Sequence, residues 1–308
     1  MAADLERAYC DLQALYGARV LRDEPLARHT SFAIGGRADL FVGASKPEEL
    51  AQLARYAQER ELPVLWLGSG TNVLVADAGL RGLAVANVCR DFAMQPDGLL
   101  VAQSGVLLRE LARWAVAQGW AGLEWAVGIP GTVGGAVVGN AGAYGGCMAD
   151  AVSWATILAE GDCRRLSAEG LQYGYRTSAL KREPWQVRRS IVLDVALQLK
   201  QGNAQELALA AERFTVQREA RTPEGHSAGS VFKRTLQYPA GFLIEQAGLK
   251  GYRLGGAEIS DKHANYILNA NGATAADVRA LIELVQERVW TAFALRLEPE
   301  IEFVGEWS

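Results

Sequence analysis

The stretch Gly122 to Gly146, GLEWAVGIPGTVGGAVVGNAGAYGG, holds nine of the chain's 33 glycines and a single charge, Glu124. Glycine enters positive φ without strain and lets backbone N–H groups close on a ligand. A surface of glycine, threonine and asparagine suits a large anion, because phosphates accept hydrogen bonds from amides and need little side-chain help. A dinucleotide pyrophosphate fits that description. A second stretch of the same chemistry, GSGTN at Gly68–Asn72, follows the apolar run LPVLWL and precedes VLVAD. By itself this second motif is weak. No glycine stands three residues beyond Gly70, as GxGxxG requires, and the chain has no Gly-Lys pair of the P-loop kind. Two such loops gripping one pyrophosphate from two subdomains say more than either does. Two other readings of the long stretch stand beside this one. Its charge-free run from Trp125 to Ala149 has the length of a membrane span, although its glycines, Pro130 and Asn140 make a poor helix. Tight turns between sandwich strands would use the same residues.

Periodicity supplies the elements that position these loops. RHTSFAIGGRADLFV, Arg28 to Val42, reads as a turn into a strand with Gly35 and Gly36 at the bend. Ser45 to Arg60 is predicted helical. Its Leu50, Leu53, Ala54 and Ala57 recur at helical spacing, with Pro47, Glu48 and Glu49 in the first turn and Arg60 in the last. LPVLWL predicts a buried strand that ends at Leu67 and opens into GSGTN. Leu80 to Gln103 predicts short strands, followed by a helix with Leu108, Leu111, Ala112 and Ala115 on one face and Gly119 as its stop. SWATILAE and SIVLDVALQL predict strands on either side of YGYRTSALK. A charge shift and the helical run Gln205 to Ala220 place a boundary near Gln201. Thr274 with Asp277 predicts a capping box, and Val278, Leu281, Ile282, Val285 and Val289 a buried stripe behind it. The closing LRLEPEIEFVG predicts a strand with Glu298 and Glu300 on one face. Internal repeats and low-complexity linkers are absent.

Length and charge narrow the function. A chain of 308 residues exceeds the usual single domain, so two or three domains sharing a cleft are expected, and 50% hydrophobic residues supply their cores. The net charge of −4 and the scatter of the 31 basic residues argue against a nucleic-acid face. The start, MAADLERAYCDLQALYG, lacks a basic segment leading into an apolar core, so neither a signal nor a transit peptide is read and a cytoplasmic location is expected. Cys10, Cys89, Cys147 and Cys163 stand far apart without CxxC, and are expected reduced and mostly buried. With only His29, His226 and His263 and no HExxH, no metal centre is expected.

TSFAIGGRADLFV, LGSGTNVLV, GIPGTVGGAVVGNAGAYG, YGYRTSALK, SAGSVFKR and the final LEPEIEFVG occur in this order between about Arg28 and Gly305. Together they resemble the UDP-N-acetylenolpyruvoylglucosamine reductases, the MurB flavoenzymes of bacterial peptidoglycan synthesis. SAGSVFKR, and the lack of room for an extra substrate-capping tyrosine loop, resemble the branch without that loop. The resemblance implies an α+β chain with a two-subdomain FAD-binding fold of the vanillyl-alcohol-oxidase (PCMH) type, here residues 1–80 and 81–200, and a C-terminal α+β substrate domain, 201–308. It implies non-covalent FAD held by Leu67, Gly68, Ser69, Gly70, Thr71, Asn72, Pro130, Gly131, Thr132, Gly135, Ala141, Gly142 and Arg218. NADPH is implied as co-substrate, giving a hydride that passes through the flavin N5 to C3 of the enolpyruvyl sugar. The implied product is UDP-N-acetylmuramate, which serves the cell wall and with it cell shape and division. Small-molecule substrates, no nucleic acid, no membrane and a monomer complete the expectation.

The same resemblance implies the catalytic set Arg176, Ser230 and Glu300. An enol ether accepts hydride only if charge developing beside its carboxylate is stabilised. Arg176 suits this, since a guanidinium binds a carboxylate with two bonds and keeps its charge; outside its motif a surface ion pair is the ordinary role of an arginine. Ser230 would protonate C2, its oxygen stabilised by Lys233 or nearby amides; outside SAGSVFKR it would cap a turn after Gly229. Glu300 aligns with the family's closing acid, and Glu298 lies on the same predicted face. Tyr175, Lys233 and Arg234 are implied at the diphosphate or sugar, although Arg234 stands where some relatives have Asn. His263 and Asn265 stay open between substrate contact and structural hydrogen bonding. A sugar or alcohol oxidase of the same fold is the alternative; it calls for a histidine anchor that the two glycine loops lack. A binding module that has lost its chemistry would show a disrupted Arg176, Ser230 or Glu300, and all three are present.

Overall fold

The alternating apolar residues of VSWATILA and IVLDVALQ form the middle of a five-stranded antiparallel sheet in the computed structural model, which describes residues 2–159, 161–186 and 190–307. Its order is Asp162–Ser167, Val152–Ala159, Ile191–Gln198, Leu99–Gln103, Phe92–Met94. Ala155 faces Val195, which faces Ala102, so small and branched side chains interlock across its centre. The edge strand Asp162–Ser167 is exposed and charged, which blunts further pairing. Glu160, the last residue of the predicted SWATILAE strand, lies outside the described residues. The helix Leu108–Ala117 buries Leu108, Leu111, Ala112 and Ala115 as its spacing predicts, and Gly119 follows it at φ 74°. The core contains this helix face, the sheet, and Val133 and Val137 of the glycine-rich stretch.

These elements belong to one of two compact units, Met1–Val20, Phe41–Gly68 and Gly82–Arg218. In the same unit Val64–Leu67 pairs in parallel with residues 83–86, from Val64 opposite Leu83 to Leu67 opposite Ala86. Gly68 therefore leaves the carboxyl end of a parallel strand, where α/β architectures bind ligands. The helix Pro47–Glu59 buries Leu50, Leu53 and Ala57 and starts with Pro47 in its first turn.

Glu49 of that helix accepts from both Arg19 terminal nitrogens, at 2.7 and 3.0 Å, and from the Ser45 N–H at 2.8 Å. The Arg19 hydrogen bonds are the leading cause that brings its carboxyl from an ordinary 4.5 down to about 2. The folded state thus holds this proton more weakly than the unfolded chain, so the contribution is complete above pH 4.5 and disappears as pH falls toward 2. Full realisation would be about 3 kcal/mol; with Arg19 43% exposed, solvent screening leaves about 1 kcal/mol. Glu49→Gln should lower stability by about that amount at pH 7, with the gap to the parent narrowing below pH 4 in urea melts. An equal loss at both pH values would mean that packing, not charge, carries the effect.

The second unit comprises Leu21–Leu40, Ser69–Arg81 and Glu219–Ser308. Its core joins Phe32, Leu74, Val231 and Phe232 to the predicted stripe of the helix Ala275–Phe293. Thr274 and Asp277 form the predicted capping box, and the Asp77 carboxylate closes the same helix start by accepting from the N–H groups of Ala275 and Ala276 at 2.8 and 3.0 Å. Arg253–Leu254, Ala257–Ile259 and Ile267–Asn269 form a three-stranded antiparallel sheet.

Three expectations need correction. The glycine-rich stretch is not wholly irregular, because Val133–Gly139 is a short helix begun by Thr132 and stopped by Asn140 at φ 44°. The closing strand is only Glu302–Val304, paired in parallel with Val73–Val75. A bend at Ile301 separates it from Pro299, which makes only an isolated antiparallel bridge to Phe232. Among the cysteines only Cys89 is buried, its thiol pushed up to about 12 by that burial. Cys147 is half-buried, while Cys10 on an outer helix face and Cys163 on the sheet edge are exposed.

Candidate cofactor and substrate site

In the first unit the glycine-rich stretch folds so that Gly68 and Thr132 touch. Thr132 is 5% exposed, and its Oγ1 caps the short helix by accepting from the Gly135 N–H at 3.3 Å. A Cβ at Gly68 would lie 2.4 Å from that Oγ1. The second residue-level constraint is Gly134, whose added Cβ would be 2.7 Å from the Cβ of fully buried Ser104. Close backbone approach therefore explains both glycines. Gly131 stands at φ 114°, Pro130 and Gly135 are exposed, and Gly131, Ala141 and Gly142 are partly so. Arg218 lies along Gly128, its Cδ 2.7 Å from where a Cβ would stand. This is a ridge of exposed backbone with a cation nearby, a chemistry that accepts phosphate.

YGYRTSALK docks on the same stretch. The Asn140 carboxamide donates to Gly174 O at 3.0 Å and accepts from the Ala149 N–H at 3.0 Å, and the buried Ser178 hydroxyl donates to Val138 O at 2.7 Å. Gly174 and Thr177 exchange backbone hydrogen bonds at 3.0 and 3.3 Å, making Tyr175 and Arg176 the two central residues of a tight turn. Arg176 takes φ 56° at the third turn position. An L residue is seldom held there without a reason, and such outliers cluster at functional sites. Its guanidinium lies 5.9 Å from the centre of the Tyr175 ring, and Tyr175 is 56% exposed.

In the second unit GSGTN continues as Ser69–Asn72. Gly70 is buried at φ 60°, and a Cβ there would lie 2.1 Å from His29 O. The Ser69, Gly70 and Thr71 N–H groups donate to no acceptor among the described residues. Gly70 is buried and Ser69 and Thr71 are half-buried, and three backbone N–H groups in a row without a protein acceptor make this turn fit an anionic ligand such as the FAD diphosphate. Asn72 has a different role, donating through Nδ2 to Glu300 O at 3.2 Å and accepting from the Glu302 N–H at 2.9 Å.

The same unit brings Ser230 and Glu300 together. Gly229, at φ 75°, leads into Ser230–Val231, and the Glu300 N–H donates to Val231 O at 2.7 Å. Lys233 N–H donates to Glu298 O at 2.9 Å, and Lys233 Nζ pairs with the Glu298 carboxylate at 2.5 Å, that carboxylate being 71% exposed. Glu298 is thus a surface partner of Lys233, whereas Glu300 is partly buried beside the Ser230 segment. Arg234 is exposed. His263 accepts from the Asn265 N–H through Nδ1, and burial holds its pKa below the ordinary value. Among the described residues no cluster of side chains could hold a metal, and no helix is long and apolar enough to cross a membrane.

Two family models match: an FAD binding domain over residues 38–167 and the C-terminal domain of UDP-N-acetylenolpyruvoylglucosamine reductase over 221–304. The reductase of Geobacillus thermodenitrificans is 41% identical over 304 residues, covering 98% of both chains. The chain belongs to the UDP-N-acetylenolpyruvoylglucosamine reductase family. A reductase of this family from Rubrobacter xylanophilus is 44% identical over 298 residues, 96% of this chain and 98% of the relative. The crystal structure of the Thermus caldophilus reductase superposes with a TM-score of 0.80 at 35% identity, over 92% of this chain and 98% of that one. The reductase family therefore accounts for the α+β fold. Its FAD-binding match contains both glycine loops, and its C-terminal match contains Ser230, Lys233, Arg234 and Glu300. Arg176 and Arg218 lie between the two matched segments. Asn140, Asp77 and Asn265 are the functional or structural anchors that sequence reasoning missed or left open. Only Asn140 had a readable signal, an asparagine among glycines where a left-handed helix stop is needed.

Proposed function

We propose that this chain reduces the enolpyruvyl ether of UDP-N-acetylglucosamine to UDP-N-acetylmuramate with NADPH, as a cytoplasmic monomer in peptidoglycan synthesis. The observation that carries this reading is full-length similarity to the reductases together with Ser230 and Glu300 on backbone-paired segments. Leu67 to Asn72, Pro130 to Thr132, Gly135, Ala141, Gly142 and Arg218 would hold FAD, with 1–80 and 81–200 as its subdomains and 201–308 as the substrate domain. Bound FAD supplies the hydride, taken from NADPH and delivered to substrate C3.

The chain's own residues do the rest. Arg176 binds the substrate carboxylate and offsets the charge that develops beside it. Its turn, fixed by Asn140 and Ser178, keeps the guanidinium oriented before substrate arrives, which lowers the cost of binding. Ser230 donates its hydroxyl proton to C2. Glu300 is held beside it and orients the enol system. Lys233 reaches the sugar diphosphate by leaving Glu298, a small loss because an exposed ion pair contributes little. Tyr175 and Arg234 are exposed and meet the same nucleotide sugar.

The deciding measurement is the visible spectrum of the purified protein under anaerobic conditions, first with NADPH and then with the enolpyruvyl nucleotide sugar. Bleaching by NADPH and recolouring by the sugar are expected. A protein that stays colourless after FAD is added would remove the flavoenzyme reading. Bleaching without recolouring would direct attention to a different acceptor.

A further inference from the structure

The segment carrying Ser230 is held from two sides. Toward Glu298–Glu300 it makes ordinary backbone bonds, Lys233 N–H to Glu298 O and Glu300 N–H to Val231 O. Toward 263–266 the backbone supplies less. Val231 N–H reaches Asn265 O at 2.8 Å, but the chain then curls, with Tyr266 N–H donating to His263 O at 2.9 Å. No peptide is left to face Phe232. The Asn265 side chain fills that place: its Oδ1 accepts from the Phe232 N–H at 3.0 Å and its Nδ2 donates to Phe232 O at 2.9 Å. Asn265 is 7% exposed and Phe232 2%, so both bonds are shielded from water. Only a carboxamide presents an acceptor and a donor at the spacing of a peptide group.

We propose that Asn265 is a positioning residue for proton delivery, its carboxamide acting as a surrogate strand that fixes the Val231–Phe232 peptide and through it the register of Ser230 with Glu300. The inference rests on the reading of Ser230 as proton donor. Val231 contributes to both sides at once, its N–H to Asn265 and its O to Glu300, so a rotation of this segment moves donor and acid together. A displacement near 1 Å in a reacting group costs roughly 10²-fold in rate. Hydride uptake from NADPH needs none of these bonds.

The test uses the FAD-loaded protein and its Asn265→Ala and Asn265→Asp variants. Asn265→Asp is nearly isosteric and keeps an acceptor for the Phe232 N–H while losing the donor to Phe232 O, so it carries the test where Asn265→Ala does not fold. Flavin reduction by NADPH should stay within about 2-fold of the parent, while reoxidation by the enolpyruvyl sugar slows roughly 10- to 100-fold. The solvent deuterium isotope effect on reoxidation should grow, because proton delivery has become slower. Amide exchange at Phe232 should accelerate in Asn265→Ala and remain protected in Asn265→Asp. Unchanged reoxidation, an equal fall of both half-reactions, or a raised KM with an unchanged isotope effect would each overturn the proposal. Ser230→Ala, measured alongside, separates the two failures. If it reoxidises normally, the donor assignment falls and this inference with it; if it is slow while the Asn265 variants are not, only the positioning role is lost.

Discussion

Ser230→Ala is expected to reduce flavin by NADPH at close to the parent rate and to reoxidise with the enolpyruvyl sugar 10² to 10⁴ times more slowly, roughly the range that a positioned general acid supplies. On the barrier this is about 3 to 5 kcal/mol. The large effect is confined to one step because the hydroxyl has nothing to do in hydride uptake from NADPH. Stability should change little, within about 0.5 kcal/mol, since Ser230 is only partly buried and its neighbours Val231 and Phe232 keep their place in the core. Ser230→Cys provides the second arm. A thiol still carries a proton and should recover part of the rate, whereas a hydroxyl needed only for hydrogen bonding to substrate would leave Cys and Ala alike. Rapid-mixing absorbance of the flavin separates the two half-reactions, and reoxidation of Ser230→Ala within a few-fold of the parent would remove Ser230 from proton transfer.

Periodicity exposed most of this fold and little of what aims the side chains. Leu108, Leu111, Ala112 and Ala115 announce a helix because burial repeats at its period, and the stripe behind Thr274 does the same. The closing segment misled for an equally physical reason. Glu298 and Glu300 flank an isolated bridge from Pro299 to Phe232 and not a continuous strand, and Lys233, 65 residues earlier, takes Glu298 as its partner. No local pattern reports a partner so distant. The glycine-rich stretch was legible as an anion cradle and illegible as a helix, because Val133–Gly139 is held by contacts with Ser104 and Val106, not by propensity. Asn265 lay open for the same reason: whether an asparagine caps, binds or props is decided by Phe232, 33 residues away. The resemblance of six ordered motifs supplied the chemistry, which composition left at a multi-domain protein binding a phosphorylated ligand.

Gly68→Ala is expected to damage the FAD cradle through a clash with one identifiable side chain. The added Cβ would stand 2.4 Å from Thr132 Oγ1 and 3.1 Å from its Cγ2, and φ at Gly68 is not in the left-handed region, so the effect is steric. Thr132 has little room to yield. Its backbone O accepts from the Ala136 N–H at 2.9 Å, and Thr132 bridges Leu107. Rotating the side chain removes the cap on Gly135, about 1 kcal/mol, and forcing the methyl in costs about 1 to 3 kcal/mol more. Stability should fall by about 2 to 4 kcal/mol, and FAD affinity at least tenfold, since the strained atoms belong to the loop proposed to hold it. Thr132→Ala in the same chain removes both opposing atoms while giving up the cap. The double variant should therefore recover the steric part only, and, because the cap is lost just once in it, a double-mutant cycle should show coupling of about 2 to 4 kcal/mol. Strict additivity would mean that the two residues do not meet. Gly139→Ala controls for glycine itself: an added Cβ there touches nothing within 4 Å, at the end of the same short helix. It should be neutral or stabilising by about 0.5 kcal/mol through the unfolded chain, so a loss of FAD there as large as at Gly68 would point to flexibility of the stretch, not its fit to a ligand, as the reason for so many glycines.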